Sequence, residues 1–329
     1  MLQLKKNLSG FWEVTKKTFA AWNKADPFRQ GAIISYYAIF SIPALLVIII
    51  TAAGYFFGRE TVSGEIYAQI SVAMGEGTAK QLGGIVSNAS ESKNNVMAAI
   101  IGFVTLIAGA TAVFVQFQKS LNLIWEVEVK AKKAWLKALK DRLFSFGLIL
   151  SIGFLLLISL LLSAALSAFS GWIKVSMPNF TMFVVRFISF MINFGVITVL
   201  FGMMFRILPD AKIRWKDVWL GAMITALLFI AGKFGLGLYF GKTHPASGYG
   251  AAGSVILIMI WVNYSSMIVF LGAEYTKQFT VHFGREIEPA KDAVRAEGSE
   301  NIKEIKDKKE AVRKVEDRTN LRNKTDGDN

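Results

Sequence analysis

The chain has 329 residues, 53% of them hydrophobic, and a mean hydropathy of +0.43. That apolar excess excludes a soluble globular enzyme, because it needs a solvent other than water. The net charge of +13 is not a nucleic-acid-binding tail, since residues 1–276 hold 24 Lys and Arg against 12 Asp and Glu, while residues 277–329 hold 13 against 12.

Residues 1–26 place Leu4, Leu8, Phe11, Trp12, Phe19 and Trp22 at helical spacing on one side, opposite lysines. This predicts a cytoplasmic amphipathic segment lying on a membrane surface or, equally, packed on the protein's own inner parts. It lacks the compact apolar core of a secretory signal, so the first long apolar stretch is expected to be a retained transmembrane helix. Asp26 reads as an N-cap and Pro27 as the first helical residue of that span. Pro43 removes a backbone donor and predicts a kink.

Uncharged runs cover Gln30–Gly58, Asn94–Gln118, Leu143–Ile173, Phe187–Phe205 and Thr243–Ala273, and Val218–Gly241 is interrupted by Lys233 alone. About 20 residues cross a bilayer core, so each stretch, or the helix it belongs to, is long enough. Between the first two lies the outer segment Gly58–Lys93, which fits two short amphipathic helices broken near Gly75–Gly77. After the second, Lys130–Arg142 reads as a basic helix carrying Trp135, suited to anionic headgroups. Trp215 and Trp219 beside Lys216 mark the headgroup level at the start of span 5. The Gly237 to Gly241 pair predicts close helix approach near its other end. Residues 277–329 are expected to form a charged cytoplasmic tail, partly helical around Glu300–Lys314 and then disordered.

The segments that would be inner if the N-terminus is cytoplasmic carry 30 Lys and Arg, and the outer ones carry 6. The positive-inside rule then predicts an all-α, polytopic protein with a six-helix transmembrane domain over 27–276 and both termini in the cytoplasm.

Asp26-Pro27, Ser35-Tyr36-Tyr37-Ala38, Gln118 to Trp125, Leu208-Pro209, Trp215 with Gly221-Ala222, Tyr249-Gly250-Ala251, Trp261 and Gly272-Ala273-Glu274 occur in this order. The ordered set resembles the YihY/virulence factor BrkB family of bacterial inner-membrane proteins over about residues 10–280. The resemblance implies six spans and location in the bacterial inner membrane. Members have been linked to serum resistance and to export of lipid-like envelope precursors, and carry an older ribonuclease label. It implies no catalytic residue.

The residues themselves argue against catalysis. There is no cysteine, and the two histidines, His244 and His282, fall on opposite sides of the membrane in this topology. No HExxH pair, phosphate loop or nucleophile elbow is present, so no cofactor, metal, nucleic-acid partner or enzyme activity is expected.

Polar residues at membrane depth are the candidates for function, because leaving them unpaired there costs several kcal/mol. Asn263 and Glu274 are 11 residues apart, about three turns, and share a stripe of span 6. Lys119 and Asn122 end span 2 at the level of Glu274, which makes a Lys119–Glu274 pair geometrically feasible. Asn193 is the main polar residue of span 4. Lys233 lies about 22 Å along its helix from Val218, placed either to snorkel outward or to receive an anionic headgroup.

Lys119, Asn122, Asn193, Lys233, Asn263 and Glu274 are therefore the candidate substrate pathway or helix-pairing residues. They favour a transporter or flippase-like exporter of a lipid or other amphiphilic envelope component, with membrane lipids and anionic headgroups at the cytoplasmic face as partners and a homo-oligomer left open. A non-transporting scaffold for envelope proteins, or a lipid-acting enzyme, is the alternative. The halves show no inverted repeat, and no carboxylate lies near the midplane to couple protons, which weighs against transport.

The topology predicts that alkaline phosphatase fused after Asn329 is inactive and the same reporter inserted near Gly77 is active. The reverse pattern of activities overturns the six-span scheme.

Overall fold

A computed structural model describes residues 2–74, 79–80, 83–84, 96–129, 178–243, 245, 248–249, 253–283 and 285–296. Five sequence readings lie outside these residues: the break at Gly75–Gly77, the basic helix Lys130–Arg142, the apolar run Leu143–Ile173, His244, and the helical or disordered tail beyond residue 296. The described chain is mostly helical: α1 (Leu2–Lys24), α2 (Pro27–Phe57), α3 (Arg59–Met74), α4 (Val96–Ile124), α5 (Pro178–Ile207), α6 (Trp215–Thr243) and α7 (Gly253–His282). Among the described residues, Phe187–Ile207, Trp215–Thr243 and Val255–His282 are long and apolar enough to cross a membrane. The helices α2 and α4 match them in length, at 31 and 29 residues.

The all-α expectation needs a small correction. Four short strands, β1 (Val127–Val129), β2 (Ala211–Lys212), β3 (Glu288–Pro289) and β4 (Ala293–Arg295), form two antiparallel ribbons. Val127 sits opposite Arg295 in one and Ala211 opposite Pro289 in the other. Both ribbons tie residues 285–296 to the loops that follow α4 and α5. This part of the charged C-terminal region is thus folded against the bundle.

Pro27 starts α2 as expected, but Asp26 does not cap it. Asp26 adopts a left-handed conformation (φ 51°, ψ 61°) without a side-chain cap bond, and its carboxylate pairs with Arg29 at 3.1 Å. A short polar side chain tolerates this region better than most, so Asp26 serves as the corner between α1 and α2. Helix α2 continues through Pro43 to Phe57.

Helix α7 is the hub: it packs against α1, α2, α4 and α6, while α2 also packs on α4 and α5 on α6. Helix α1 packs on the protein's own helices, the second of the two sequence readings. Val14 and Thr18 are buried, Trp22 Nε1 donates to Met267 O at 3.1 Å, and Phe11 meets Tyr275. Yet Phe11, Trp12 and Phe19 remain more than half exposed, an aromatic face turned outward.

The tightest crossing is between α6 and α7, and it is reciprocal. A Cβ on Gly221 would collide with Thr276, and a Cβ on Gly272 with Thr225. Each threonine hydroxyl donates to the carbonyl of the glycine four residues earlier on its own helix, Thr225 to Gly221 at 2.6 Å and Thr276 to Gly272 at 2.8 Å. Glycine thus lets the opposing threonine in, and the threonine's polar atom is satisfied before it enters. Gly232 continues the antiparallel contact against Tyr264. Close approach therefore occurs at Gly221, Gly272 and Gly232, whereas Gly241, expected to provide it, has open space beside it.

The buried apolar core gathers where α4 and α5 end, α6 begins and α7 finishes. Leu121, Trp125, Phe205, Val218, Phe270 and Ala273 are among its members. Both ribbons cover this end, which we call the ribbon end.

Gly221→Ala should destabilise the folded protein by about 1–3 kcal/mol through overpacking. Adding Thr276→Ala should restore part of that loss, measured by thermal unfolding in detergent, because the two residues share one contact. Additive losses in the double variant overturn the reciprocal contact.

Candidate functional site at the ribbon end

A groove of about 740 Å³ opens at the ribbon end between the end of α1, the last turns of α4, β1 and α7. Its lining includes three of the sequence candidates, Lys119, Asn122 and Glu274, together with Lys24, Glu126 and Lys277.

Beneath the groove lies a charged triad. Lys277 Nζ is 2.8 Å from Glu126 Oε1 and 3.5 Å from Glu274 Oε1, and Gln278 Nε2 donates to Glu274 Oε1 at 2.7 Å. Glu274 is 1% exposed and Lys277 6%. The cation beside Glu274 is thus Lys277 of its own helix. Lys119 lines the same groove as an exposed side chain, with no ion pair among the described residues. The triad also explains why α7 runs on to His282. A lysine neutralised by two carboxylates does not require water, so a charge at 277 does not end a buried helix.

Asn122 works beside the groove as a two-way clamp. Its Nδ2 donates to Asp210 Oδ2 and its Oδ1 accepts from Asp210 N, both at 2.8 Å. Gln118 Nε2 adds a bond to Asp210 Oδ2 at 3.2 Å, and Ala290 N donates to Asp210 O at 2.8 Å. The loop between α5 and α6 is thereby fixed to α4 and to the strand region. Nearby, Gln30 Oε1 accepts from Gln116 Nε2 and Ser120 Oγ, each at 2.8 Å, joining α2 to α4. Buried Asp217 pairs with Arg285 and, at 3.4 Å, with Arg214.

The other candidates sit elsewhere. Asn263 faces Gly31 of α2, where a Cβ would come within 2.7 Å of its Oδ1, and that buried oxygen has no hydrogen-bond partner among the described residues. Lys233 is half-buried on α6, next to the Gly232–Tyr264 contact, with no ion pair among the described residues. Asn193 is exposed and donates to Ser189 O of its own helix at 2.9 Å. His282 lies at the end of α7 with Nδ1 buried and without a hydrogen-bond partner among the described residues. No cluster of potential metal ligands occurs among the described residues.

Sequence reasoning missed Glu126, Lys277, Asp210 and the Gln30–Gln116–Ser120 group. Gly221-x3-Thr225 and Gly272-x3-Thr276 carried a readable signal, the small residues spaced by four in two apolar stretches. Asp210 and Glu126 carried none, because their partners lie 88 and 151 residues away.

Long apolar helices joined through glycines, with polar groups gathered at one end, define a helical integral membrane protein. The sequence profile described as virulence factor BrkB matches residues 18–297, and the chain belongs to that family. It is 26% identical over 280 residues to a UPF0761 membrane protein of Verminephrobacter eiseniae, covering 82% of this chain and 63% of that one. A UPF0761 membrane protein of Tolumonas auensis is 29% identical over 193 residues, 58% of this chain and 59% of the relative. One from Pseudoalteromonas atlantica is 26% identical over 260 residues, 77% and 81% respectively. The chain thus spans about three fifths of the length of the first two. No solved structure matches it significantly.

Lys277→Met should destabilise the protein by about 3–5 kcal/mol, since it leaves the buried Glu274 carboxylate beside the partly exposed Glu126 with no cation between them. Adding Glu274→Gln should recover part of this, read by thermal unfolding in detergent. A Lys277→Met protein as stable as the parent rules out the triad as an anchor.

Proposed function

We propose that the protein is a six-span protein of the bacterial inner membrane, with both termini in the cytoplasm, that moves a lipid or other amphiphilic envelope component. The observation that carries this reading is the ribbon-end groove, which sets exposed lysines beside apolar surface at Leu123 and Val129. That combination suits the junction of a headgroup and its chains. On this topology the ribbon end is cytoplasmic, and the exposed Trp215 and Trp219 mark the inner headgroup level. Membrane lipids are the partners. Neither nucleic acid nor catalysis enters this reading.

The alternative is a scaffold that holds envelope proteins without transport. The clamps at Asp210 and Asp217 favour it, because they lock the ribbon end with fully engaged polar groups.

Lys119→Gln and Lys233→Gln proteins should fold like the parent and lose most movement of fluorescent lipid across proteoliposomes. If both variants move lipid like the parent, or the parent moves none across a broad lipid panel, the scaffold reading replaces transport. Purified protein given RNA with Mg²⁺, Mn²⁺ or Zn²⁺ should show no turnover. Cleavage that co-purifies with the protein and is lost in Glu274→Gln overturns the non-enzymatic reading.

A further inference from the structure

The charges lining the groove are balanced. Lys24, Lys119 and Lys277 line one cavity together with Glu126, Glu128 and Glu274. Lys277 is engaged with Glu126 and Glu274 below the surface, which leaves the rim to define what enters. Lys119 and Glu128 are both exposed there, and neither has a hydrogen-bond or ion-pair partner among the described residues. Helix α4 thus offers an ammonium and β1 a carboxylate to the same groove, which Leu123 (53% exposed) and Val129 (42% exposed) also line.

A purely anionic headgroup entering this space would gain from the lysines and be repelled by an equal number of carboxylates. A headgroup with both signs satisfies both charges. A primary ammonium fits a carboxylate best, because it brings three N–H donors, whereas a trimethylated nitrogen brings none. The exposed leucine and valine suit a ligand with an attached apolar body.

We propose that the ribbon-end groove binds the headgroup of a zwitterionic lipid of the phosphoethanolamine type, with its phosphate on Lys119 and its primary ammonium on Glu128. The assignment rests on the transport reading for the depth of the groove, and it goes further by naming the substrate class. Anionic lipids, which the basic inner face attracts to the membrane surface around the protein, are not the ligand of the groove.

The test is native mass spectrometry of the full chain in detergent, titrated with phosphatidylethanolamine, phosphatidylcholine and phosphatidylglycerol of matched acyl chains, and with water-soluble glycerophosphoethanolamine. The parent should bind phosphatidylethanolamine tightest and the soluble compound far more weakly. Glu128→Gln should lower its affinity for phosphatidylethanolamine about three- to tenfold and leave phosphatidylcholine unchanged, while Lys119→Gln should weaken all three lipids. Equal or tighter binding of phosphatidylglycerol or phosphatidylcholine by the parent overturns the assignment, and this readout does not depend on either variant folding. So does a Glu128→Gln protein with unaltered lipid order. Glycerophosphoethanolamine binding as tightly as the lipid would assign the groove to a soluble ligand instead and overturn the lipid identity. The failures separate cleanly: a protein that binds phosphatidylethanolamine but moves no lipid keeps this site and loses the transport reading. One that moves lipid yet prefers phosphatidylglycerol keeps transport and loses this site.

Discussion

Lys277 stands between Glu126 and Glu274, and the ribbon end is arranged around that contact. Buried Lys277 and Glu274 are costly unless they pair and their remaining valences are met, and the partly exposed Glu126 supplies the second carboxylate. Glu274 meets one through Gln278, and Glu126 reaches the lysine from the turn that ends α4. To do so Glu126 takes a left-handed backbone conformation (φ 54°), which turns the chain directly into β1. Its backbone carbonyl then accepts from Ala296 N at 3.0 Å, at the end of β4. One ion-pair cluster thus couples the end of a long helix, the exit of another and a ribbon whose paired residues lie 164 or more positions apart in the chain, Val129 with Ala293 being the nearest pair.

The same physics recurs around it. Asp210 lies in the loop between α5 and α6 and Asp217 in the first turn of α6, and each is held by groups from a different part of the chain: Gln118, Asn122 and Ala290 for one, Arg285 for the other. The buried carboxylate of Asp217 and the amide of Asn122 are thus satisfied by protein groups rather than by water. Along α6 the arrangement is inverted relative to a soluble helix. Leu227, Phe234 and Leu238 lie exposed, while Gly221, Ala222, Thr225 and Ala226 are buried. A lipid environment removes the drive to hide large apolar side chains, so small residues take the interior, where they let helices approach.

This inversion decides what could be read from sequence. Long uncharged runs made α2, α4, α5, α6 and α7 legible, because hydrocarbon length imposes a strong and local pattern. The start of α2 was legible at Pro27, whereas the geometry of Asp26 was not, since an N-cap and a left-handed corner both favour aspartate. Helix α7 runs past Lys277, where the charge marks the expected end of the last span, and Glu126 with Glu274 makes that lysine compatible with burial. Lys119, Asn122 and Glu274 were readable as a group from their order along the chain; the partners of Glu274 lie three and four residues on in its own helix, whereas Asp210, the partner of Asn122, lies 88 residues away, where no local pattern points to it. The two ribbons, two or three residues per strand, were too short to leave an alternation to detect.

Geometry also constrains how any headgroup could travel beyond the groove. Glu274 and Asn263 mark two depths on α7, and the antiparallel contact of Gly232 with Tyr264 puts Lys233 near the second. Between these depths the interior is closed: Ser266, Val269 and Phe270 are buried, and Ile34 of α2 is fully covered. On the transport reading, a headgroup leaving the groove therefore has two routes: the lipid-facing outside of the bundle, or a separation of α2 from α7. The α6–α7 crossing is a poor place to open, because Gly221, Thr225, Gly272 and Thr276 interlock there. The α2–α7 contact is different in kind. At Gly31 it presents no side chain, and the Asn263 carbonyl pressed against it is buried without a hydrogen-bond partner among the described residues. A polar oxygen in that state has already lost its hydration, so an approaching ammonium or hydroxyl would gain a bond there while no existing bond of that oxygen is broken. Opening at Gly31–Asn263 would, however, break the hydrogen bond that Ser35 Oγ donates to Met259 O at 3.1 Å across the same two helices, so on the transport reading that bond, one turn from Gly31, is what resists this route.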